Sequence, residues 1–559
     1  MTTTALSDTL LQEVAAWTAE DPDPATRQRV DALVSAAITG DSTAAAELTD
    51  AFSGRLPLST AGLRGALGPG PNRMNRVIVG QAAAGLARYL LDHGLAGGTV
   101  IIGYDARHNS DVFASDTAEI MAGAGFRAML TDRPMPTPVV AFGIGHFSCV
   151  AGVVVTASHN PAQDNGYKIY LGDGLQIVPP ADAEIAARIS TMAEHSLSDV
   201  PRAQSYVSIG DELQAAYLAR VASLVPADAP RDLSWVYTPL HGVGGSLVSQ
   251  AIASTGFDAA SVVTEQAEPD PEFPTVRFPN PEEPGTIDLA LAQAARIGAD
   301  LVIANDPDAD RCAVAVPVGG RWRMLHGDEL GALLADDALQ RGVQGTFACS
   351  IVSSSLLSEM AAAYGQPFVS TLTGFKWIGR VPGLVFGYEE ALGYSVDPAA
   401  VPDKDGISAL VRVLTLAARL RSHGSTLADR LDEIARRYGV HETDQLAIRV
   451  NDIAVIRDAM TRLRAKPPQK LIGDPVNVTD MLKGFEQLPP TDGVRIVGGA
   501  FTVTIRPSGT EPKLKCYLEA RLPRDISAEL PAARAKAHQM LHNLRSEITT
   551  ELGLSSSYA

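Results

Sequence analysis

The chain of 559 residues has few cysteines, a deficit of positive charge and no long apolar run. Its four cysteines, Cys149, Cys312, Cys349 and Cys516, are widely spaced and form no CxxC pair. Zinc and redox motifs are therefore unsupported, and buried free thiols in a reducing compartment are expected. Lys and Arg number 46 against 64 Asp and Glu, a net charge of −18. Such a chain has no global field for nucleic acid or an anionic membrane. An anionic substrate would need cations gathered locally. No run of about 18 apolar residues occurs, so no membrane-spanning helix is expected. Met1 to Glu20 lack the basic and apolar regions of a secretory signal, which leaves a cytoplasmic location as the expectation. The sequence also lacks low-complexity tracts and the GxxxxGK(S/T) phosphate loop.

What is present is ordinary globular composition, 46% hydrophobic, with 49 Gly and 36 Pro, long enough for about three to five domains. Residues 1–50 read as helical. Beyond them short apolar runs alternate with helical stretches. Val100–Tyr104 and Ala151–Thr156 read as buried strands, with helices over Val79–Leu95 and Phe113–Ala124. The arrangement returns with Trp235–Thr238 and Leu301–Ala304, and again with Phe347–Ser350 and Leu384–Phe386. This threefold recurrence predicts stacked α/β layers. The Pro-dense stretch Glu268–Pro284 predicts a long, anchored or functional loop. From about Val440 the pattern changes to alternating runs and a final long helix, an α+β domain with an antiparallel sheet. Boundaries fall near 205, 325 and 440.

Five segments carry chemistry. Thr156-Ala-Ser-His-Asn-Pro161, followed by Asn165-Gly-Tyr-Lys168, follows a buried strand, where α/β proteins place their sites. It reads either as a hydrophilic turn or as a nucleophile loop, Ser158 with His159 and Lys168 beside it. Asn305-Asp-Pro-Asp-Ala-Asp-Arg311 alternates three carboxylates. Such close like charges repel unless a cation neutralises them, and hard oxygens in a tight loop suit Mg2+. An EF-hand is a poor match, since Arg311 and Pro317 stand where its Gly and final Glu belong. Arg506-Pro-Ser-Gly-Thr-Glu-Pro-Lys-Leu-Lys515 combines hydroxyls, a Gly and cations, the parts of a phosphate cradle or of a plain hairpin turn. Ser59-Thr-Ala-Gly-Leu-Arg64-Gly has glycines for close backbone approach and a guanidinium that could clamp phosphate, a weak signal on its own. The fifth is Thr373–Arg380 with Glu389, Glu390 and Asp403-Lys404-Asp405-Gly406, which reads either as a charged surface loop or as a site where the acids bind sugar hydroxyls and Lys376, Arg380 and Lys404 phosphate. Together these parts point to an enzyme acting on a small phosphorylated, hydroxyl-rich substrate.

The series TASHNP, DPDADR, GYEEALGY and RPSGTEPK, in this order, resembles the α-D-phosphohexomutase superfamily of phosphoglucomutases and phosphomannomutases over nearly the whole chain. TAGLRG, GYDARHNS, YTPLHGVG and TGFKWIG point to its phosphoglucomutase-2-like and phosphopentomutase-like branch. The resemblance implies three similar α/β domains and a smaller C-terminal α+β domain around a central cleft. They are a phosphoserine domain over 1–205, a metal-binding domain over 206–325, a sugar-binding domain over 326–440 and a phosphate-binding domain over 441–559. It implies Ser158 as phosphoserine nucleophile and Asp306, Asp308 and Asp310 as Mg2+ ligands, with the serine phosphate completing the shell. Arg64 and Arg311 are implied as charge stabilisers, and His159 and Lys168 as neighbours, Lys168 being favoured for acid/base work. Glu389 or its neighbour Glu390 is implied at the sugar hydroxyls. Lys404, Arg506, Ser508, Gly509 and Thr510 are implied at the substrate and its phosphate.

The implied activity is an intramolecular phosphotransfer. Hexose 1-phosphate and 6-phosphate interconvert through a bound hexose 1,6-bisphosphate, which also serves as activator. Glucose is favoured, with mannose or pentose phosphates as alternatives and a phosphatase or a sugar-phosphate sensor as rival classes. A monomer or dimer without nucleic-acid or membrane partners is expected. Three positions depart from many relatives: Ala391 replaces a Ser, Lys515 an Arg and Ser59 a Gly.

Overall fold

The computed structural model describes residues 6–450, 452–508, 513–525 and 529–554. They form two compact units, one of the described residues within 1–315 and 397–415, the other of those within 316–396 and 416–559.

The first unit begins with three helices, Asp8–Glu20, Pro24–Ile38 and Ser42–Ala51. Asp23 and Asp41 cap the second and third by accepting from first-turn amides, and Pro24 occupies the first helical position. The first sheet orders its strands Leu63–Ala66, Asp164–Leu171, Ala151–Val155, Thr99–Tyr104, Arg127–Thr131 and Val207–Ile209. Ala151–Val155 is buried throughout, as its continuous apolar run predicts for a strand covered on both faces. In the second sheet Ala313–Val318, Leu301–Ala304, Trp235–Thr238 and Ser261–Val262 lie side by side. The second unit holds the third sheet, ordered Gly393–Ser395, Leu384–Glu389, Thr346–Ser350 and Phe368–Thr371. It also holds an antiparallel sheet of Val440–Arg449, Lys513–Leu522, Phe501–Pro507, Val494–Val497 and Asn477–Asp480. The helix Leu530–Glu551 packs on that sheet through Ala533, Ala537, Leu541, Leu544 and Ile548.

The threefold recurrence in the sequence is a recurrence of topology. In each of the first three sheets a central strand pairs in parallel with a strand on either side. One of those neighbours then turns back into an antiparallel partner. The connections at that turn are residues 156–163, 305–312 and 390–392. The Ser158 motif, the acidic loop and the Glu390 turn thus occupy one structural position in three copies.

Two details differ from the sequence reading. Asn165-Gly-Tyr-Lys168 lies in the strand Asp164–Leu171, not in a turn. Its polar start hides a strand because Lys168 finds its partners far away in sequence. The boundary expected near 205 precedes Val207–Ile209, which pairs with Arg127–Thr131 and so extends the first sheet.

Candidate active site

Ser158 sits directly beyond the buried strand Ala151–Val155, in the left-handed backbone region at φ +52°. A non-glycine residue holds that conformation only when its surroundings fix it. Here Ser158 N–H donates to Thr156 Oγ1 at 2.8 Å, and Thr156 Oγ1 in turn donates to Asp105 Oδ2 at 2.6 Å. Ser158 Oγ donates to Asp306 Oδ2 at 2.8 Å, and His159 Nδ1 lies 3.1 Å from it.

The acidic loop follows Leu301–Ala304, and Ala309 at φ +55° reverses the chain between its second and third carboxylates. Carboxylate oxygens of Asp306, Asp308 and Asp310 lie within 4.8 Å of one another, all three residues buried. Lys168 Nζ donates to Asp308 Oδ2 at 2.7 Å and Asp310 Oδ2 at 2.9 Å. Lys404 Nζ lies 3.0 Å from Asp310 Oδ2, and Thr137 Oγ1 donates to Asp308 Oδ2 at 2.6 Å. Gly406 packs against this loop so closely that a Cβ there would stand 2.2 Å from the Arg311 carbonyl oxygen.

Burial dominates the electrostatics, because charge is costly where water is excluded. It pushes the Asp306 carboxyl well up, and repulsion from Asp308 and Asp310 adds to the shift. Burial and Asp310 also push Asp308 up, but the Lys168 ammonium outweighs them and holds it below the usual range. Asp310 is likewise raised by burial yet held down by Lys168, Lys404 and Arg311. Burial opposes the Lys168 charge, but the two carboxylates hold its proton more tightly than usual. The Arg311 guanidinium stands 3.8 Å from Asp306 and 3.9 Å from Asp310, and Arg64 donates to Asn160 Oδ1 at 3.3 Å. Asp308 Oδ1 and Asp310 Oδ1 are buried and accept no hydrogen bond among the described residues. Buried oxygens of that kind fit a divalent cation.

Two further candidates cluster in the second unit. Glu389, half-buried, accepts from Gly374 N–H at 2.6 Å. Glu390 is turned to other work: it is buried and accepts from Ser350 and Ser353 hydroxyls at 2.9 and 3.2 Å. Burial and the adjacent Glu389 push its carboxyl up to about 7. Arg506, half-buried, donates to Thr373 Oγ1, and Ser508 N–H donates to the Lys513 carbonyl at 2.7 Å. Gly509 and Thr510 lie outside the described residues.

Ser158, His159, Lys168, Arg64, Arg311 and the three aspartates therefore come together in the first unit. Lys404 joins them rather than Glu389. Its segment 397–415 belongs to the first unit, where Arg220 pairs with Asp397 and Tyr217 O–H donates to Asp405. The sequence reading named no role for Arg107 or Thr137. Arg107 had a local signal, an Asp-x-Arg placed directly after a strand.

Matches to the four domains of the family described as phosphoglucomutase/phosphomannomutase cover residues 56–196, 215–319, 326–438 and 429–537. The chain belongs to this family. It is a phosphosugar mutase with the family's four-domain α/β architecture. A Haemophilus influenzae protein named "Probable phosphomannomutase" is 49% identical, covering 80% of this chain and 93% of that protein. A Schizosaccharomyces pombe protein named "Probable phosphoribomutase" is 36% identical, with 92% and 94% covered. The open form of parafusin, a Paramecium phosphoglucomutase, shares the fold at TM-score 0.67 and 19% identity, with 90% and 97% covered. Among the described residues no helix is long and apolar enough to cross a membrane, and all four cysteines are free and buried.

Proposed function

We propose that this mutase interconverts hexose 1-phosphate and hexose 6-phosphate, glucose first, with Ser158 as the phosphoryl carrier. The observation that carries the reading is Ser158 Oγ held 2.8 Å from the first of three buried, converging carboxylates. Asp306, Asp308 and Asp310 are the residues that would hold Mg2+. When bound, the ion offsets negative charge on the oxygens of the transferring group.

The remaining chemistry belongs to the chain. Phosphorylated Ser158 gives its group to the free hydroxyl of a sugar monophosphate. The bisphosphate so formed, which is also the activator, reorients and returns its other phosphoryl group to the serine. His159 stands within reach of Ser158 Oγ to give or take a proton there. Lys168, between two carboxylates, is charged, so its part is to neutralise the aspartates and the arriving phosphate. Arg64 and Arg311 add fixed positive charge. Glu389 accepts the sugar hydroxyls in this reading, since Glu390 is already occupied by two serines. Arg506 and Ser508 hold the phosphate that is not transferred. Gly509 and Thr510 are assigned to that loop by resemblance.

A pentose reading has the names of several relatives in its favour, among them the fission-yeast protein named as a phosphoribomutase and the mouse and human proteins named phosphopentomutase, each of the last two 34% identical. A coupled mutase assay with glucose, mannose, ribose and deoxyribose 1-phosphates, run beside a free-phosphate assay, tests both. Dominant glucose turnover with little free phosphate supports the first reading. Strong preference for ribose or deoxyribose replaces it with the second, and stoichiometric free phosphate overturns both. Exhaustive chelation should abolish activity and added Mg2+ restore it.

A further inference from the structure

Arg107 lies in the loop after the strand Thr99–Tyr104 and is buried. Its two terminal nitrogens make four hydrogen bonds to backbone carbonyls, three in the Ser158 loop and one at the first residue of the strand that follows it. Nη2 donates to Ser158 at 2.7 Å and Asn160 at 2.6 Å, and Nη1 to Pro161 at 2.8 Å and Asp164 at 3.1 Å. Asp105, 3.3 Å from Arg107 Nε, holds the Thr156 hydroxyl that receives the Ser158 amide. One face of the guanidinium is covered by the Phe273 ring, whose centroid is 4.9 Å from Cζ.

Phe273 belongs to the Pro-dense stretch Glu268–Pro284. It is buried at φ +46°. Its loop is tied down by Asp270 N–H donating to the His241 carbonyl and by Gln266 donating to Thr275. The end of the central strand or the loop after it supports the functional turn in the other two copies as well. Val243 N–H donates to the Pro307 carbonyl at 2.8 Å in the second, and the Ser350 and Ser353 hydroxyls donate to Glu390 in the third.

We propose that Arg107, faced by Phe273, is the positioning residue that fixes Ser158 Oγ for phosphoryl transfer, and that the Pro-dense loop exists to hold that ring. The inference rests on Ser158 being the carrier. A planar fork that bonds four carbonyls leaves the turn one conformation, whether or not the serine is phosphorylated. Ring and guanidinium attract each other more strongly out of water.

The test compares wild type, Phe273→Leu and Arg107→Lys. It measures kcat, KM and single-turnover transfer from phosphorylated enzyme to sugar monophosphate, with thermal melting as the fold control. Phe273→Leu keeps an apolar side chain but loses the ring. It should transfer about five- to thirtyfold more slowly, with KM changed less than about twofold. Arg107→Lys keeps the charge and loses the fork, and should fall about a hundredfold. A role in folding alone would lower the melting point and leave the transfer rate of folded protein unchanged. Folded Phe273→Leu with wild-type transfer, or with its loss confined to KM, overturns the inference. If Arg107→Lys does not fold, the Phe273 variant decides. Failure of the carrier reading shows separately, as activity surviving in Ser158→Ala.

Discussion

The two units hold their candidate groups in opposite ways. In the first unit Ser158, Asp306, Asp308, Asp310 and Lys168 are each at most 4% exposed and bonded to one another. In the second, Glu389 and Arg506 are half-buried, and each is hydrogen-bonded to the segment Thr373-Gly374. A buried, mutually bonded set is preorganised, and its charges act at full strength because water does not screen them. Half-buried groups at the edge of solvent can re-aim at modest cost. The two sets divide the labour. Changes in the first set should strike the chemical step for every sugar alike, and changes in the second should strike affinity and selectivity.

The steepest losses are expected in the first unit. Ser158→Ala should lower turnover by about ten-thousandfold or more if the serine is the proposed carrier, since its neighbours do not replace a missing nucleophile. The phosphorylated fraction seen by intact-protein mass should vanish with it. Asp308→Asn should lose about a thousandfold while remaining folded by circular dichroism, through the missing carboxylate charge. If either variant lost activity with only some of the sugars, the comparison would be broken.

Next comes Arg506→Ala in the second unit. A charge-assisted bond to phosphate contributes about 1.5–3 kcal/mol, so KM should rise about ten- to a hundredfold. The loss should appear in both reaction directions, with kcat less affected than in Asp308→Asn. An unchanged KM would remove Arg506 from substrate binding.

How much of this was legible in the sequence follows the same line. Strands made of continuous apolar runs, such as Ala151–Val155, Trp235–Thr238 and Leu301–Ala304, stand out because burial on both faces leaves no polar alternation. The motifs on the turns beyond them are contiguous and were legible too. What was hidden depends on distance along the chain. Lys168 is buried inside a strand only because Asp308 and Asp310, 140 and 142 residues away, neutralise it. Lys404 belongs to the acidic loop by a contact that spans nearly a hundred residues. Arg107 bonds backbone carbonyls, which every residue possesses, so its partners have no signature. Glu389 and Glu390 are adjacent and chemically alike, and only burial against Ser350 and Ser353 separates them.

The third effect is on stability and belongs to the second unit. His441 is buried between Glu519, 3.2 Å away, and Glu359, 3.6 Å away. Burial opposes its charge, but the two carboxylates raise it from the ordinary 6.5 to about 9. A histidine raised in the fold contributes stability fully below about pH 6.5, and that contribution is lost as pH climbs to about 9. Glu390, raised to about 7, weakens the same unit as pH passes from 4.5 to 7, because its folded form binds the proton more tightly. Melting of the second unit should therefore fall steadily from about pH 5 to 9. His441→Gln should flatten the upper limb, by about 3–6 °C, and leave the lower one. An upper limb as steep in the variant as in wild type would clear His441 of the role.

The smallest effect sharpens the comparison most. Glu389 pairs with Gly393 across a hairpin whose turn is Glu390, Ala391 and Leu392. A carboxylate accepts bonds from neighbouring ring hydroxyls without telling epimers apart. Discrimination needs a second group, satisfied by one epimer and left unpaired by the other. Many members of the family carry a serine hydroxyl at the place of Ala391, and a methyl group cannot supply that bond. One neutral hydrogen bond contributes about 0.5–1.5 kcal/mol, so wild-type selectivity between glucose and mannose 1-phosphates should be about tenfold or less. Ala391→Ser should change the ratio of their kcat/KM values by about two- to tenfold. Because the turn belongs to the second unit, single-turnover transfer from phosphorylated Ser158 should stay within about twofold of wild type for the favoured sugar. A ratio that stays fixed while transfer slows would place Ala391 in the chemistry instead, and the division between a rigid reacting set and an adjustable recognising set would fail at its most sensitive point.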